Sequence, residues 1–137
     1  KYQILCNIKL IMKNNVLKLF KYLYYFSLTI LFIVYLFPGS LIGYFFYGDI
    51  GKQPNLISNP FGTSINHFFY FLYLSILAII CNLEDSKIFT KFYFLILISI
   101  FLEVSHFIIP NRAFETYDLL ANITGVLSVF LFKRLIS

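Results

Sequence analysis

The sequence predicts an all-α fold, a single integral membrane bundle of four transmembrane helices, from three observations. Of the 137 residues, 60% are apolar and only 12% are charged, against about a quarter charged in soluble chains. Four apolar runs approach the roughly 20 residues that a helix needs to cross a bilayer core about 30 Å thick. Lysine and arginine are distributed unevenly among the connections between these runs, as they are in multi-pass membrane proteins.

The first run covers residues 19–37 and stops at Pro38-Gly39. This pair predicts either the end of the helix or a kink before the apolar stretch 41–47. A cleaved signal peptide is the alternative, because lysines precede the run. The run lacks a small-residue cleavage site, so an uncleaved span is the preferred interpretation.

Residues 1–18 are interpreted as a cytoplasmic tail. Met12, followed by Lys13 and two asparagines, is expected to be the true start of translation. The alternative is a slightly longer tail, which leaves the rest of the interpretation unchanged.

The other three runs cover residues 65–83, 88–109 and 118–135. Pro110 is expected to stop the third run, and the glycines and prolines of 48–64 predict an irregular connection. No repeat or separate soluble domain is visible, so residues 19–137 are predicted to form one membrane domain.

Charge counts predict the orientation. From Met12 onwards, seven basic residues flank one side of the predicted membrane: Lys13, Lys18, Lys21, Lys87, Lys91, Lys133 and Arg134. Only Lys52 and Arg112 lie on the other side. Because positive residues collect in cytoplasmic loops, both termini are predicted to be cytoplasmic, with 48–64 and 111–117 outside.

Two classes of function are disfavoured. The net charge of +5 is spread between apolar spans and forms no basic face, so no nucleic-acid partner is predicted. Cys6 and Cys81 form no disulfide framework and lie far from the histidines of the outer side, and Ser105 lacks a nucleophile motif. Nucleophilic catalysis is therefore not predicted.

The topology places the unusual polar residues at one depth, in the outer leaflet. These residues are His67, Glu103, His106, Arg112, Asp118 and Asn122. Glu103, His106 and Pro110 follow i, i+3, i+7 spacing, and so share one helix face. A charge within a span costs about 2.5 to 3.5 kcal/mol, so Glu103 should face the bundle or water, with Arg112 as its nearest cation.

Structural roles and a metal site are the alternative interpretations of these residues. The polar groups could pair only to hold helices together, with Asp118 capping the fourth run, and His67 could be an interfacial residue. Glu103-x-x-His106 also matches half of a di-iron motif, but the second copy is missing. A metal site of Glu103, His106 and His67 is conceivable, yet the sequence predicts neither a metal nor a cofactor.

An ordered set of residues carries a resemblance to a known family: Glu103, His106, Pro110, Arg112, Asp118, Asn122 and Gly125. Their spacing resembles the signature of VanZ-like membrane proteins, Glu-x-x-Gln, then Pro-x-Arg, then Asp-x-x-x-Asn-x-x-Gly. His67 and the Phe that follows resemble the family's Asp-Lys-x-x-His-Phe motif. Thr63 and Ser64 stand in place of its Asp-Lys, and His106 in place of its Gln. The resemblance covers residues 61 to the end.

The resemblance implies a small protein of the bacterial inner membrane with four spans; the founding member is linked to low-level teicoplanin resistance. We therefore expect an outer-leaflet pocket that contacts a membrane lipid headgroup, a cell-wall precursor or a glycopeptide-related ligand. Arg112 would hold an anionic group, which Asp118 and Asn122 would orient beside His67. Glu103 and His106 would form a hydrogen-bonding or proton-accepting pair. The alternatives are an enzyme that uses this pair on a lipid-linked substrate, and a structural subunit of a membrane complex.

Overall fold

A computed structural model describes residues 2–53, 62–81 and 88–136, with side chains for 14–53, 62–81 and 90–135. These residues form five helices and no strand, which confirms the all-α class for the described part of the chain. The helices are α1 (Tyr2–Leu36), α2 (Leu41–Tyr47), α3 (Ser64–Cys81), α4 (Ile88–Ser105) and α5 (Thr116–Ile136).

Helix α1 begins at Tyr2 and therefore includes most of the segment interpreted as a tail. That segment contains neither proline nor glycine, so nothing in it stops a helix. At its other end α1 stops at Leu36, because Pro38 disfavours helical backbone at the residue before it. Of the two predicted outcomes, the helix breaks instead of kinking, and Gly39 continues with a φ of +83°.

Helix α2 starts afresh after this break. Ser40 caps it, since its Oγ accepts the N–H of Gly43 at 2.9 Å. The following turn folds back on the helix, and the N–H of Ser40 donates to the carbonyl of Ile50 at 2.6 Å. A Cβ at Gly43 would overlap the backbone carbonyl of Lys52. The glycine therefore allows residues 48–53 to lie directly against α2.

The four long helices pack as a bundle with α3 and α5 in the most extensive contact. Gly125 makes this close approach possible, because a Cβ there would lie 2.5 Å from the carbonyl oxygen of Phe68. Small residues at a helix interface let two backbones approach closely. Phe71, Leu74 and Val126 are fully buried beside it, and α1 packs on α3 while α4 packs on α5.

Two further helix ends differ from the predicted ones by two residues or more. Helix α4 ends at Ser105, not at 109, because the chain tightens towards Pro110 into turns in which His106 donates to the carbonyl of Glu103 at 3.2 Å. Helix α5 starts at Thr116, not at 118, since the Glu115 carbonyl accepts the N–H groups of both Asp118 and Leu119. The middle of the predicted first connection, 54–61, and the predicted end of the second run at residue 83 lie outside the described residues.

Large apolar side chains lie on the outside of the bundle. Tyr93, Leu97 and Phe101 of α4 are each at least 60% exposed, as are Phe26 of α1 and Phe132 of α5. Within the described residues, Asn14–Leu36 of α1 and Ser64–Cys81 are long and apolar enough to cross a membrane. The sequence predicts two further spans, in α4 and α5.

Candidate functional site

Polar side chains converge at the end of the bundle where α1 and α4 end and α3 and α5 begin. All six predicted site residues are found there, and three further residues join them. We call this set the polar cluster: Tyr35, Ser64, His67, Glu103, His106, Arg112, Glu115, Asp118 and Asn122. Glu103 and Asn122 are fully buried, and His106 and Asp118 are each only 4% exposed. The predicted convergence at one level of the bundle is therefore present.

His67 and Asp118 meet across the α3–α5 contact. Nε2 of His67 lies 3.4 Å from Oδ2 of Asp118. The other carboxylate oxygen of Asp118, Oδ1, accepts the hydroxyl of Ser64 at 2.5 Å. Asp118 lies in the first turn of α5, where the positive end of the helix dipole also stabilises a carboxylate. Its helix-stabilising role and its contact with His67 are therefore compatible.

Tyr35, near the end of α1, contacts α3, α5 and the turn that follows α4. Its hydroxyl donates to Oδ1 of Asn122 at 3.1 Å and lies 2.5 Å from Nδ1 of His67. Its ring stacks on His106 with centroids 5.4 Å apart. One tyrosine thus contacts polar residues from α3 and α5 and from the turn after α4.

Glu103 is held from two directions. Its Oε1 accepts the backbone N–H of Glu115 at 3.1 Å and lies 3.3 Å from Nδ1 of His106. Among the described residues its second oxygen, Oε2, has no hydrogen-bond partner, and neither does Nε2 of His106. A buried polar atom without a partner costs about 1–3 kcal/mol. An ordered water, an ion or a ligand would satisfy these two atoms.

Arg112 is placed differently from the sequence-based expectation. Its Nη2 donates to the carbonyl of Val34 at 2.7 Å, and its Nε lies 3.4 Å from the carbonyl of Phe37. The guanidinium therefore satisfies carbonyls that the end of α1 leaves open, and within the described residues it forms no ion pair with Glu103. Asn111, with a φ of 57°, turns the chain into this position, and asparagine tolerates such backbone.

Two groups in the connection before α5 have altered acidity. Burial lowers the pKa of Arg112, while Tyr35, Glu103 and Asp118 oppose that change. Burial, together with the carboxylates of Asp118 and Glu103, raises the pKa of Glu115. The main cause of both shifts is burial, which disfavours the charged form; the neighbouring carboxylates add to the shift at Glu115 and oppose it at Arg112.

Among the cavities beside the polar cluster, two are both lined by Arg112 and Gln53. The first, of about 190 Å³, lies between α1, α2 and α3 and is lined largely by apolar residues such as Ile30, Val34 and Ile42. His67 and Tyr35 lie on its wall. We call it the apolar cavity.

The second cavity, of about 290 Å³, is lined by polar groups of both signs. Arg112 lies on its wall together with Glu115 and Asp118, and His106 also contributes. We call it the polar pocket. Because Arg112 and Gln53 border both cavities, an amphiphilic molecule could occupy the two together.

Three side chains of the cluster also have metal-ligand geometry. His67, Glu103 and Asp118 each offer one ligand atom, and these atoms lie within 4.8 Å of one another. The metal site considered from the sequence contained His106 in place of Asp118. The Nδ1 atom of His106 instead faces a carboxylate oxygen of Glu103.

Sequence reasoning missed Tyr35, Ser64 and Glu115. Tyr35 is one of 11 tyrosines and nothing in its neighbourhood marks it. In the sequence, Ser64 stands out only as a departure from the family motif. Glu115 lies four residues before Leu119 at a helix start, where an acidic residue is ordinary.

Comparisons of the chain with protein-family models, with curated proteins and with solved structures found no match.

Proposed function

We propose that the chain is a VanZ-like protein of the bacterial inner membrane in which α1, α3, α4 and α5 each span the bilayer. The exposed aromatic and aliphatic faces of α4 and α5 support this, because lipid is the solvent that favours them. The lysine and arginine distribution supports cytoplasmic termini. In this orientation the polar cluster lies in the outer leaflet, and Glu103 faces the interior of the bundle, as a charge within a span should.

The proposed function is recognition of an envelope lipid whose headgroup carries both a phosphate and an ammonium, as phosphatidylethanolamine does. The observation that carries it is the polar pocket, where Arg112 and Glu115 line one space. The guanidinium offers planar N–H donors suited to phosphate, and the exposed carboxylate of Glu115 can accept from an ammonium. Asp118 and Asn122 hold the neighbouring side chains in place through Ser64, His67 and Tyr35.

The apolar cavity supplies the second half of the recognition. It opens between α1 and α2 beside Arg112, and its walls of Ile30, Val34 and Ile42 suit part of an acyl chain. Ligand sites of this kind are mostly apolar, with a few polar groups that fix orientation. A lipid held in this way would have its headgroup in the polar pocket and its chain against α1.

Arg112 provides the first test. Purified protein in detergent would be titrated with short-chain phosphatidylethanolamine, and binding followed by native mass spectrometry. Arg112→Ala should weaken binding about tenfold or more, because a charge-assisted hydrogen bond contributes about 1.5–3 kcal/mol. Arg112→Lys should weaken it nearly as much, since lysine keeps the charge but lacks the planar fork.

Lys52 offers a matched control. It lies on the same predicted side, its Nζ is over the ring of Tyr47 at 4.4 Å, and Lys52 lines neither cavity. Lys52→Ala should bind like the wild type. Because Arg112 also satisfies the end of α1, thermal unfolding of each variant identifies any that lose binding by losing structure. Full binding by a folded Arg112→Lys protein would show that only positive charge matters there.

A second candidate function is acid/base catalysis on the same lipid. It is favoured by one observation: Nε2 of His106, a residue on the wall of the polar pocket, has no partner within the described residues. A histidine is well suited to proton transfer near neutral pH. Mass analysis of the lipid after prolonged incubation with the protein distinguishes the two functions, because binding returns the lipid unchanged and catalysis does not.

A further inference from the structure

We propose that His67, Glu103 and Asp118 bind one divalent transition-metal cation, with Zn²⁺ as the type ion, inside the polar cluster. The inference goes beyond lipid recognition and does not depend on it. It rests on the positions of three side chains from three different helices.

The distances suit coordination. The three ligand atoms lie within 4.8 Å of one another, and Nε2 of His67 is 3.4 Å from Oδ2 of Asp118. A tetrahedral ion with bonds of about 2.0–2.2 Å places neighbouring ligand atoms roughly 3.4 Å apart. The His67–Asp118 pair already has that spacing, and a ligand atom of Glu103 lies within 4.8 Å of both.

Each proposed ligand is also held by a second group through its other polar atom. Oδ1 of Asp118 accepts the hydroxyl of Ser64, and Oε1 of Glu103 accepts the N–H of Glu115. Nδ1 of His67 contacts the hydroxyl of Tyr35. Metal ligands are characteristically oriented in this way by outer-shell hydrogen bonds. In each case the remaining atom, Oδ2, Oε2 or Nε2, is left for a cation.

Tyr35 holds the far side of the His67 ring. Its hydroxyl contacts Nδ1 of His67 and donates to Oδ1 of Asn122. The other ring nitrogen, Nε2, lies 3.4 Å from Oδ2 of Asp118. A cation between Nε2 and Oδ2 would contact both atoms.

A proton on Nε2 would satisfy His67 and Asp118 alone. It would leave Oε2 of Glu103, a fully buried side chain, without a partner among the described residues. A divalent cation contacts all three and neutralises both carboxylates. Glu115 and Arg112 would then remain as one negative and one positive group on the polar pocket.

The donor set selects the class of ion. One imidazole nitrogen with two carboxylate oxygens suits Zn²⁺, Mn²⁺ or Fe²⁺, whereas Mg²⁺ and Ca²⁺ prefer oxygen alone. Three protein ligands leave a coordination position open, as in zinc sites that bind a further molecule. Asp118 borders the polar pocket, so that position would be reached from there.

The test measures Zn²⁺ binding by the full chain in lipid-free detergent. Protein treated with a chelator is dialysed against Zn²⁺ in excess Mg²⁺, and bound metal is counted by elemental analysis. Cys6→Ser and Cys81→Ser are included throughout, so that thiols cannot hold the metal. We expect one Zn²⁺ per chain, and Co²⁺ in its place should give the visible absorption of a tetrahedral site.

Glu103→Gln and Asp118→Asn preserve size and should each weaken Zn²⁺ binding at least a hundredfold, because each replaces a charged ligand by an amide. Ser64→Ala should weaken it about tenfold through the outer shell. Glu115→Gln is the matched control: the same chemical change beside the same pocket, with full Zn²⁺ binding expected. A folded wild type without Zn²⁺, or equal binding by Glu103→Gln, Asp118→Asn and wild type, would overturn the proposal. Because no lipid is present, failure here leaves lipid recognition to be judged separately.

Discussion

Substitution of Glu103 can separate a functional role of this buried carboxylate from a role in packing alone. The change Glu103→Gln should leave the stability of the metal-free protein unchanged within about 1 kcal/mol, or raise it. The amide oxygen can accept the N–H of Glu115 that Oε1 now accepts, and no buried charge remains to be desolvated. Thermal unfolding in detergent with a chelator measures this.

The control for this prediction is Glu103→Ala. It removes the acceptor as well as the charge and leaves a cavity, so we expect a loss of about 2–4 kcal/mol. A loss above about 2 kcal/mol for the Gln variant would mean that the negative charge itself holds the fold. A stable Gln variant that keeps every binding property would make Glu103 a packing residue.

At this scale the sequence predicted the six residues of the site that are unusual by type or position. A glutamate and two histidines in an apolar chain stand out because burying them is costly. Tyr35 does not stand out, because a tyrosine in a membrane helix is ordinary and its partners are distant in sequence. The actual role of Arg112 at the end of α1 was missed for the same reason, since it depends on how α1 packs.

At the scale of helices, the contact between α3 and α5 positions His67 against Asp118. Gly125→Ala should therefore disturb the polar cluster as well as the packing around residue 125. The added Cβ would lie 2.5 Å from the carbonyl of Phe68 and 3.0 Å from the N of Leu72, and backbone atoms cannot move aside as a side chain can. We expect a loss of about 1–3 kcal/mol from overpacking, together with weaker lipid binding, because the two helices must separate.

Ser128 on the same helix is an exposed residue, and Ser128→Ala is the matched control. It should unfold at the same temperature as the wild type. If Gly125→Ala were as stable as that control, the close approach of α3 and α5 would not be needed for the fold.

The helices themselves were largely predictable, and their ends less so. The apolar run and Pro38 predicted the break after α1, because proline disfavours helical backbone at the residue before it. The early end of α4 at Ser105 was not predicted. The three residues after it donate to carbonyls three residues earlier, not four as in an α-helix, and no residue type there signals this change. The start of α1 at Tyr2 was not predicted either, because no sequence signal marks where a tail stops being helical.

At the scale of the whole molecule, the account requires one orientation. Reporter fusions at Lys52 and after the carboxyl end should place Lys52 outside and the carboxyl end in the cytoplasm, because seven of nine basic residues from Met12 onwards flank the cytoplasmic side. A fusion after Lys87 should also be cytoplasmic. An outward carboxyl end would mean that one of the four proposed spans is cleaved or fails to insert.

The central claim is that the polar pocket and the apolar cavity together recognise a lipid with a phosphate and an ammonium. Native mass spectrometry of protein purified from bacterial membranes in a mild detergent tests it most directly. The account predicts one retained phosphatidylethanolamine per chain in the wild type and in Lys52→Ala, and none in Arg112→Ala. A folded wild-type protein that carries no lipid, or that carries the same lipid when Arg112 is replaced by alanine, would contradict it.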